Sequence, residues 1–166
     1  SKQSRTDDSS WSVSSAFLDF DRDGWLDLFV GNYLSWRVES NTPCFTPSGR
    51  PDYCSPSVYQ PQPGRLLRNN HDGTFNDVTT ASGIGREFGP ALGVSTADFN
   101  GDGWIDVYVA NDGQPNQLWI NQRNGTYVDD GLLSGSALNA SGNPEGSMGI
   151  ASGDFDADGD EDLFIS

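Results

Sequence analysis

Three nine-residue stretches concentrate the carboxylates of this chain. Asp19–Asp27 reads DFDRDGWLD, Asp98–Asp106 reads DFNGDGWID and Asp154–Asp162 reads DFDADGDED. Acids crowded this closely repel one another unless a cation lies between them. As such a loop curls, positions 1, 3 and 5 turn inward, and a glycine at position 6 permits the sharp turn. Position 7 offers its backbone carbonyl, and position 9 returns a further carboxylate. The first loop thus supplies Asp19, Asp21, Asp23 and Asp27 with the carbonyl of Trp25. The second supplies Asp98, Asn100, Asp102 and Asp106 with the carbonyl of Trp104, and the third Asp154, Asp156, Asp158 and Asp162 with the carbonyl of Asp160. All these donors are oxygens, which suits calcium. Magnesium holds a tighter octahedron with more retained water, and transition metals favour imidazole or thiolate. Three calcium ions are expected, with the second loop, where Asn100 replaces a carboxylate, the first to release its ion. An EF-hand would need a glutamate at position 12 and a helix after it. That position holds Val30, Val109 and Ile165, inside apolar runs.

Short strands must carry these loops. Each is preceded by a stretch with small residues at matching places (Ser14, Gly93 and Gly149; Ala16, Ser95 and Ala151). Each is followed by Leu28-Phe29-Val30, Val107-Tyr108-Val109 or Leu163-Phe164-Ile165. Such runs, rich in Val, Ile and aromatics, read as buried strands. A second strand pair follows twice, in GRLLRNNHDGTFNDVT and NQLWINQRNGTYVDDG, with Asp72-Gly73 and Asn124-Gly125 as hairpin-turn signals. Helix is at most a minor component. The fold class expected is all-β, with four short antiparallel strands per unit forming a β-propeller blade. About two and a half blades are present, fewer than the roughly four to eight that close a propeller. A longer chain or neighbouring copies would complete it. The expected divisions are a polar N-terminal segment, 1–10, a first repeat, 11–80, a second repeat, 81–130, and a linker with a partial third repeat, 131–166. The first repeat is longer because of an insertion at roughly 35–63 that carries both cysteines.

Composition narrows the partners. The chain has 24 acids against 9 bases, a net charge of −15. That balance disfavours nucleic-acid phosphates and anionic membranes and favours cations. No apolar run of about 18 residues occurs, so no membrane insertion is expected, and the N-terminus SKQSRTDDSS lacks an apolar signal core. Cys44 and Cys54 flank a Pro/Gly-rich segment. A local disulfide, implying an oxidising compartment, stands against two free thiols on a loop. His71, the single histidine, lies in a turn where an exposed polar side chain is the default. No nucleophile elbow or phosphate-binding loop occurs, and no enzymatic activity is expected. Trp11, Trp25, Trp104 and Trp119 offer either a sugar-binding platform or packing between strands. Asp7-Asp8 reads as a solvated tail and Asp129-Asp130 as a strand end. Asn124 and Asn139 begin N-glycosylation acceptor patterns, NGT and NAS.

The three loops and their flanking strands resemble FG-GAP/VCBS repeats, the calcium-bearing blades also found in integrin α-chain propellers. The resemblance runs from Trp11 to Ser166. The tract NYL...PC...YCSP...GRLLRNNHDGTFNDVTTASGIG is further similar to ASPIC/UnbV-type (cartilage acidic protein-like) chains. It implies a calcium-stabilised propeller, secreted or at a cell surface, serving adhesion or interaction with an extracellular protein or glycan. Two other readings remain: a structural subunit that self-assembles through open blade edges, and an accessory propeller of a larger enzyme.

Overall fold

Small residues before each acidic loop and apolar residues after it let two strands lie close together, and this pairing organises the chain. The computed structural model describes residues 2–166. Its strands are β1 (Ser12–Leu18), β2 (Asp27–Asn32), β3 (Cys44–Phe45), β4 (Pro51–Asp52), β5 (Arg65–Asn69), β6 (Phe75–Asp77), β7 (Ala91–Ala97), β8 (Asp106–Asn111), β9 (Gln117–Asn121), β10 (Tyr127–Asp129), β11 (Ile150–Gly153) and β12 (Asp162–Ile165). Two one-turn helices, α1 (Thr79–Ser82) and α2 (Gly131–Ser134), follow β6 and β10. Each helix ends on a left-handed glycine, Gly83 or Gly135. The fold is all-β, and its strand pairs are antiparallel.

β1-β2-β5-β6 form one four-stranded sheet and β7-β8-β9-β10 a second, while β11-β12 and β3-β4 are hairpins. Pairing is equivalent in the two larger sheets. Leu28 faces Leu67 and Val30 faces Arg65 in the first; Val107 faces Trp119 and Val109 faces Gln117 in the second. The loop-bearing pairs β1-β2 and β7-β8 carry a bulge at the same place, between Ser12 and Ser14 and between Ala91 and Gly93. The unit of strand, acidic loop, strand, strand, tight turn, strand is therefore built twice. Its first half is built once more, as β11-β12. The sheets are open.

Alternation along the strands divides the core. Leu18, Phe29 and Leu66 of the first sheet pack against Val107, Val109 and Trp119 of the second, with Ile84 and Tyr127 in the same cluster. The opposite residues of the second sheet, Tyr108, Ala110 and Leu118, pack against Ile150, Leu163 and Ile165 of the β11-β12 hairpin. The second sheet is thus covered on both faces. The first and second sheets approach closely at Gly31, where a Cβ would lie 2.9 Å from Val94 Cγ2 and 3.3 Å from Ala91 Cβ.

The insertion leaves and re-enters the first sheet without disturbing it. Asn32 donates from Nδ2 to the Pro63 carbonyl at 2.9 Å, across 31 positions of sequence. Asn111 makes the same bond to the Pro115 carbonyl at 2.7 Å, across 4. The insertion's stem is a short ladder, with Ser35 N–H donating to Gln60 O and Gln62 N–H to Tyr33 O. Cys44 and Cys54 are joined in a disulfide beside the β3-β4 pair, which decides between the two alternatives for these cysteines.

The reading of Asp7-Asp8 as a solvated tail is corrected at Asp8. Its carboxylate accepts from Ser10 N–H and Asn32 Nδ2 and lies 3.4 Å from Arg65. Phe75 N–H donates to Ser4 O at 2.9 Å, so the N-terminal segment runs beside β6. Ser1 of that segment lies outside the described residues.

Two outcomes follow from this packing. Gly31→Ala should destabilise the protein by about 1–3 kcal/mol through overpacking, seen as a lower denaturation midpoint with an unchanged slope. Reducing the Cys44–Cys54 bond should release about 2–3 kcal/mol of loop-closure stabilisation. Hydrogen exchange should then quicken within residues 35–63 and leave β8 and β9 unaffected.

Candidate metal centres

The acidic loops share one backbone scaffold. The position 1 carboxylate receives two backbone N–H groups in each. Asp19 accepts from Asp23 and Gly24 at 3.1 and 3.0 Å, Asp98 from Asp102 and Gly103 at 2.9 and 2.6 Å, and Asp154 from Asp158 and Gly159 at 3.1 and 3.0 Å. The position 5 carboxylate accepts the N–H of position 7 at 2.9 Å each time: Asp23 from Trp25, Asp102 from Trp104, Asp158 from Asp160. Position 6 is left-handed at Gly24, Gly103 and Gly159, as its glycine suggests. Position 4 is left-handed too, at Arg22, Gly101 and Ala157. Residue type does not announce this second kink, because non-glycine residues carry it in two of the loops.

Position 9 is the loop's anchor. Asp27 is fully buried, its two oxygens taking N–H bonds from Phe20 at 3.3 Å and Asn69 at 2.8 Å. Asp106, equally buried, takes them from Phe99 at 3.1 Å and Asn121 at 2.8 Å. Asp162 repeats the first of these bonds, with Phe155 at 3.0 Å. Burial pushes the carboxyls of Asp27 and Asp106 up to about 6 despite these bonds, and Asp21 and Asp23, or Asp102 and Asp98, add like-charge repulsion.

The structure gathers Asp19, Asp21 and Asp27 so that one oxygen from each lies within 4.8 Å of the others; Asp154, Asp156 and Asp162 do the same. Asp21 Oδ1 is buried and has no hydrogen-bond partner. A calcium ion fits this donor set: three convergent carboxylates, all oxygen, one of them with an unsatisfied buried atom. The second loop is arranged differently. Asn100 Nδ2 donates to Asp102 Oδ2 at 3.3 Å, and Arg123 donates to that same oxygen from Nε and Nη2 at 3.1 and 3.0 Å.

Basic side chains at the loops were not among the sequence-derived candidates. Arg68 Nη2 lies 2.7 Å from Asp21 Oδ2, and His71 Nε2 lies 2.7 Å from Asp23 Oδ2. His71 is exposed, as its turn position implies, but it also stacks on Trp25 with ring centroids 4.9 Å apart. His71 and Arg123 occupy equivalent hairpin positions, both left-handed and both directed at position 5 of their loop. The two hairpin sequences align from Asn69 and Asn121, which sets His71 against Arg123.

The four tryptophans weighed above as a sugar platform, of five in the chain, lie in different surroundings. Trp119 is core, Trp25 stacks on His71, Trp104 lies under the Arg22 guanidinium, and Trp11 packs on Tyr33 and Trp36. Asn124 is exposed in its turn, its Oδ1 accepting from Thr126 N–H and Oγ1. Asn139 is half-buried and donates from Nδ2 to Glu145. Asp129 accepts from Leu118 and Gly131 N–H groups, which ties β10 to α2.

Because Asp27 and Asp106 bind protons more tightly folded than unfolded, metal-free protein loses stability as pH rises from about 4 to about 6. Asp8 and Asp77 act in the opposite sense. Burial raises both, but hydrogen bonds and Arg65 hold them below the usual carboxylate range, so their contribution is lost only as pH falls below about 4. Metal-free protein should therefore melt at a higher temperature at pH 5 than at pH 7. Asp27→Asn should reduce that difference, Asp106 supplying the remainder.

Among the described residues, no helix is long and apolar enough to cross a membrane. A sequence model of the FG-GAP-like repeat matches residues 45–109 and again 98–165. Those stretches contain the second and third acidic loops, and the first loop repeats their hydrogen bonds. Cartilage acidic protein 1 from Homo sapiens is 30% identical over 99 residues, covering 60% of this chain and 14% of that protein. The Xenopus tropicalis protein of the same name is 36% identical over 58 residues, 35% of this chain and 9% of its own length. The Mus musculus one is 29% identical over 99 residues, 60% of this chain and 15% of its own length. The chain thus spans a small part of each relative. With two repeat matches across most of its length, and the same loop scaffold formed three times, the chain belongs to the FG-GAP-like repeat family.

Proposed function

We propose that this chain is a non-enzymatic extracellular interaction module whose acidic loops bind calcium and whose sheets are blades of a β-propeller. The observation that carries the calcium reading is the unsatisfied, buried Asp21 Oδ1 within the cluster of Asp19, Asp21 and Asp27. Calcium would be held there, and by Asp154, Asp156 and Asp162 in the third loop. Its chemistry is neutralisation: it would offset the burial that pushes Asp27 upward, and the repulsion from Asp21 and Asp23 that adds to it, and would lock the loop to the strands on either side. The position 5 aspartates and the carbonyls of Trp25, Trp104 and Asp160 complete the proposed sets. Three ions are proposed, with the second site the weakest. There Asn100 lowers the charge, and the Arg123 guanidinium occupies Asp102.

The blade reading is supported by the repeated four-strand order and by the packing of the second sheet between the first sheet and the β11-β12 hairpin. The repeat divisions at 11–80, 81–130 and 131–166 follow it. An extracellular setting is supported by the disulfide and by similarity to cartilage acidic protein 1. A partner protein or glycan would meet the module on its insertion, the largest departure from the repeat.

Calorimetric titration of decalcified protein should detect calcium binding at the first and third loops, with the second loop weaker. Calcium at a hundredfold excess over Kd should stabilise the fold by about 2.7 kcal/mol per site. Asp21→Asn should abolish the first-site signal. A melting temperature unchanged by calcium, together with no heat of binding, would sink the proposal.

A further inference from the structure

The insertion folds over the start of β1 and the end of β2 and forms a cavity of about 620 Å³ that is open to solvent. Its walls include Trp11, Tyr33, Trp36 and Tyr59, drawn from separate segments of the chain, and its rim includes Asn41 and Asp52. Trp11 stands edge-on to Tyr33, 5.2 Å away at 89°, and is tilted by 60° against Trp36 at 6.0 Å. Rings inclined this steeply make the walls of a box rather than the flat platform on which a sugar ring stacks.

The polar atoms of three of these rings are already committed to the protein. Tyr33 donates its hydroxyl to Asp112 Oδ2 at 2.5 Å. Trp36 Nε1 and the Tyr59 hydroxyl both donate to Asn41 Oδ1, at 2.9 and 3.2 Å. Ring surface, with the negative face of each π-system, dominates what faces an incoming group, beside the carboxylate of Asp52, whose Oδ1 also accepts from Tyr53 N–H at 2.8 Å. Asp112 behind Tyr33 adds negative charge; burial and then this carboxylate push the phenol's pKa up. Among the described residues lining the cavity there is no lysine or arginine. The surrounding molecule carries a net charge of −15. An anion is opposed by every one of these features, whereas a cation is favoured by all of them.

We infer that this disulfide-braced cavity is a recognition site for an arginine side chain of a basic partner polypeptide. Guanidinium is planar and weakly hydrated, stacks on aromatic faces and donates to carboxylates, which matches a box of rings beside Asp52. The cavity exceeds one guanidinium in size, so residues flanking the arginine enter with it. This deepens the reading of the chain as an interaction module and relies on it only in taking a polypeptide as the partner.

The test uses the whole chain, calcium-saturated, with its calcium content measured in the same sample. The probes are the peptide acetyl-Gly-Arg-Gly-Arg-Gly-amide, its citrulline counterpart, in which the charge is removed and the shape kept, and chitotetraose as a neutral glycan. Titration followed by calorimetry and tryptophan fluorescence should show the arginine peptide binding about tenfold or more tightly than the citrulline peptide. Trp36→Ala should remove that discrimination. Asp52→Asn, at an exposed rim position that should leave the melting temperature unchanged, should weaken the arginine peptide and not the citrulline one. Three results would each overturn the inference: equal affinity for the two peptides, arginine binding that survives both substitutions, or chitotetraose binding that Trp36→Ala abolishes while the arginine peptide fails to bind. Calcium binding is scored independently, so its absence beside intact arginine binding would count against the loops and not the cavity.

Discussion

A buried carboxylate at the end of the first and second acidic loops is the constraint around which the first two repeats are arranged. Burying a charge costs several kcal/mol unless hydrogen bonds or a counter-charge replace the lost water. Asp27 and Asp106 obtain their bonds from two different places: the N–H just after the loop begins, at Phe20 or Phe99, and the N–H at the far end of the third strand, at Asn69 or Asn121. One side chain thereby fixes the loop's closure, the β2 or β8 start, and the neighbouring strand. Asn121 extends the same brace between the sheets, donating from Nδ2 to Phe20 O at 2.8 Å. The loops are therefore part of the sheet-to-sheet contact, and a change in loop charge reaches the core directly.

This arrangement explains why so much was legible in the sequence and where legibility stopped. The strand pairs were readable because Leu28-Phe29-Val30 and Val107-Tyr108-Val109 follow the loops at fixed spacing, and Asp72-Gly73 and Asn124-Gly125 mark the second hairpins. The hydrogen-bonding role of position 9 is not readable, since an aspartate that would ligate a metal and one that accepts backbone N–H groups look identical in a pattern. The left-handed Arg22 and Ala157 were hidden for a related reason: closed loop geometry overrides the residue's own preference. Asp8 was misread because acidic tails are usually solvated, whereas here Arg65 and Asn32 hold it.

The aromatic cavity was beyond pattern reading altogether. Trp11 precedes β1, Tyr33 and Trp36 follow β2, and Tyr59 lies beyond the disulfide; nothing in their spacing brings them together. They meet because Asn32 pins the insertion's return at Pro63 and the ladder from Tyr33 to Gln62 closes its stem. The repeat thus supplies a fixed base, and the insertion is free to build on it, since its two ends occupy points that the second repeat spans in a few residues.

Charge is distributed to match this division of labour. Most of the acids cannot be relieved by the few bases available, so the bases that approach the loops matter individually. Arg68 contacts Asp21 through Oδ2, leaving Oδ1 of the same carboxylate buried and unsatisfied. His71 takes Asp23 Oδ2, and Arg123 takes the corresponding oxygen of Asp102. A divalent ion entering the first loop would find one oxygen uncontested and others shared with side chains from β5 and the turn after it. In the second loop it would meet an amide at position 3 and a guanidinium bonded twice to position 5. Electrostatics would then make the loops unequal although their backbones are alike, through Asn100 within the second loop and through the basic residues on the hairpins that flank each loop.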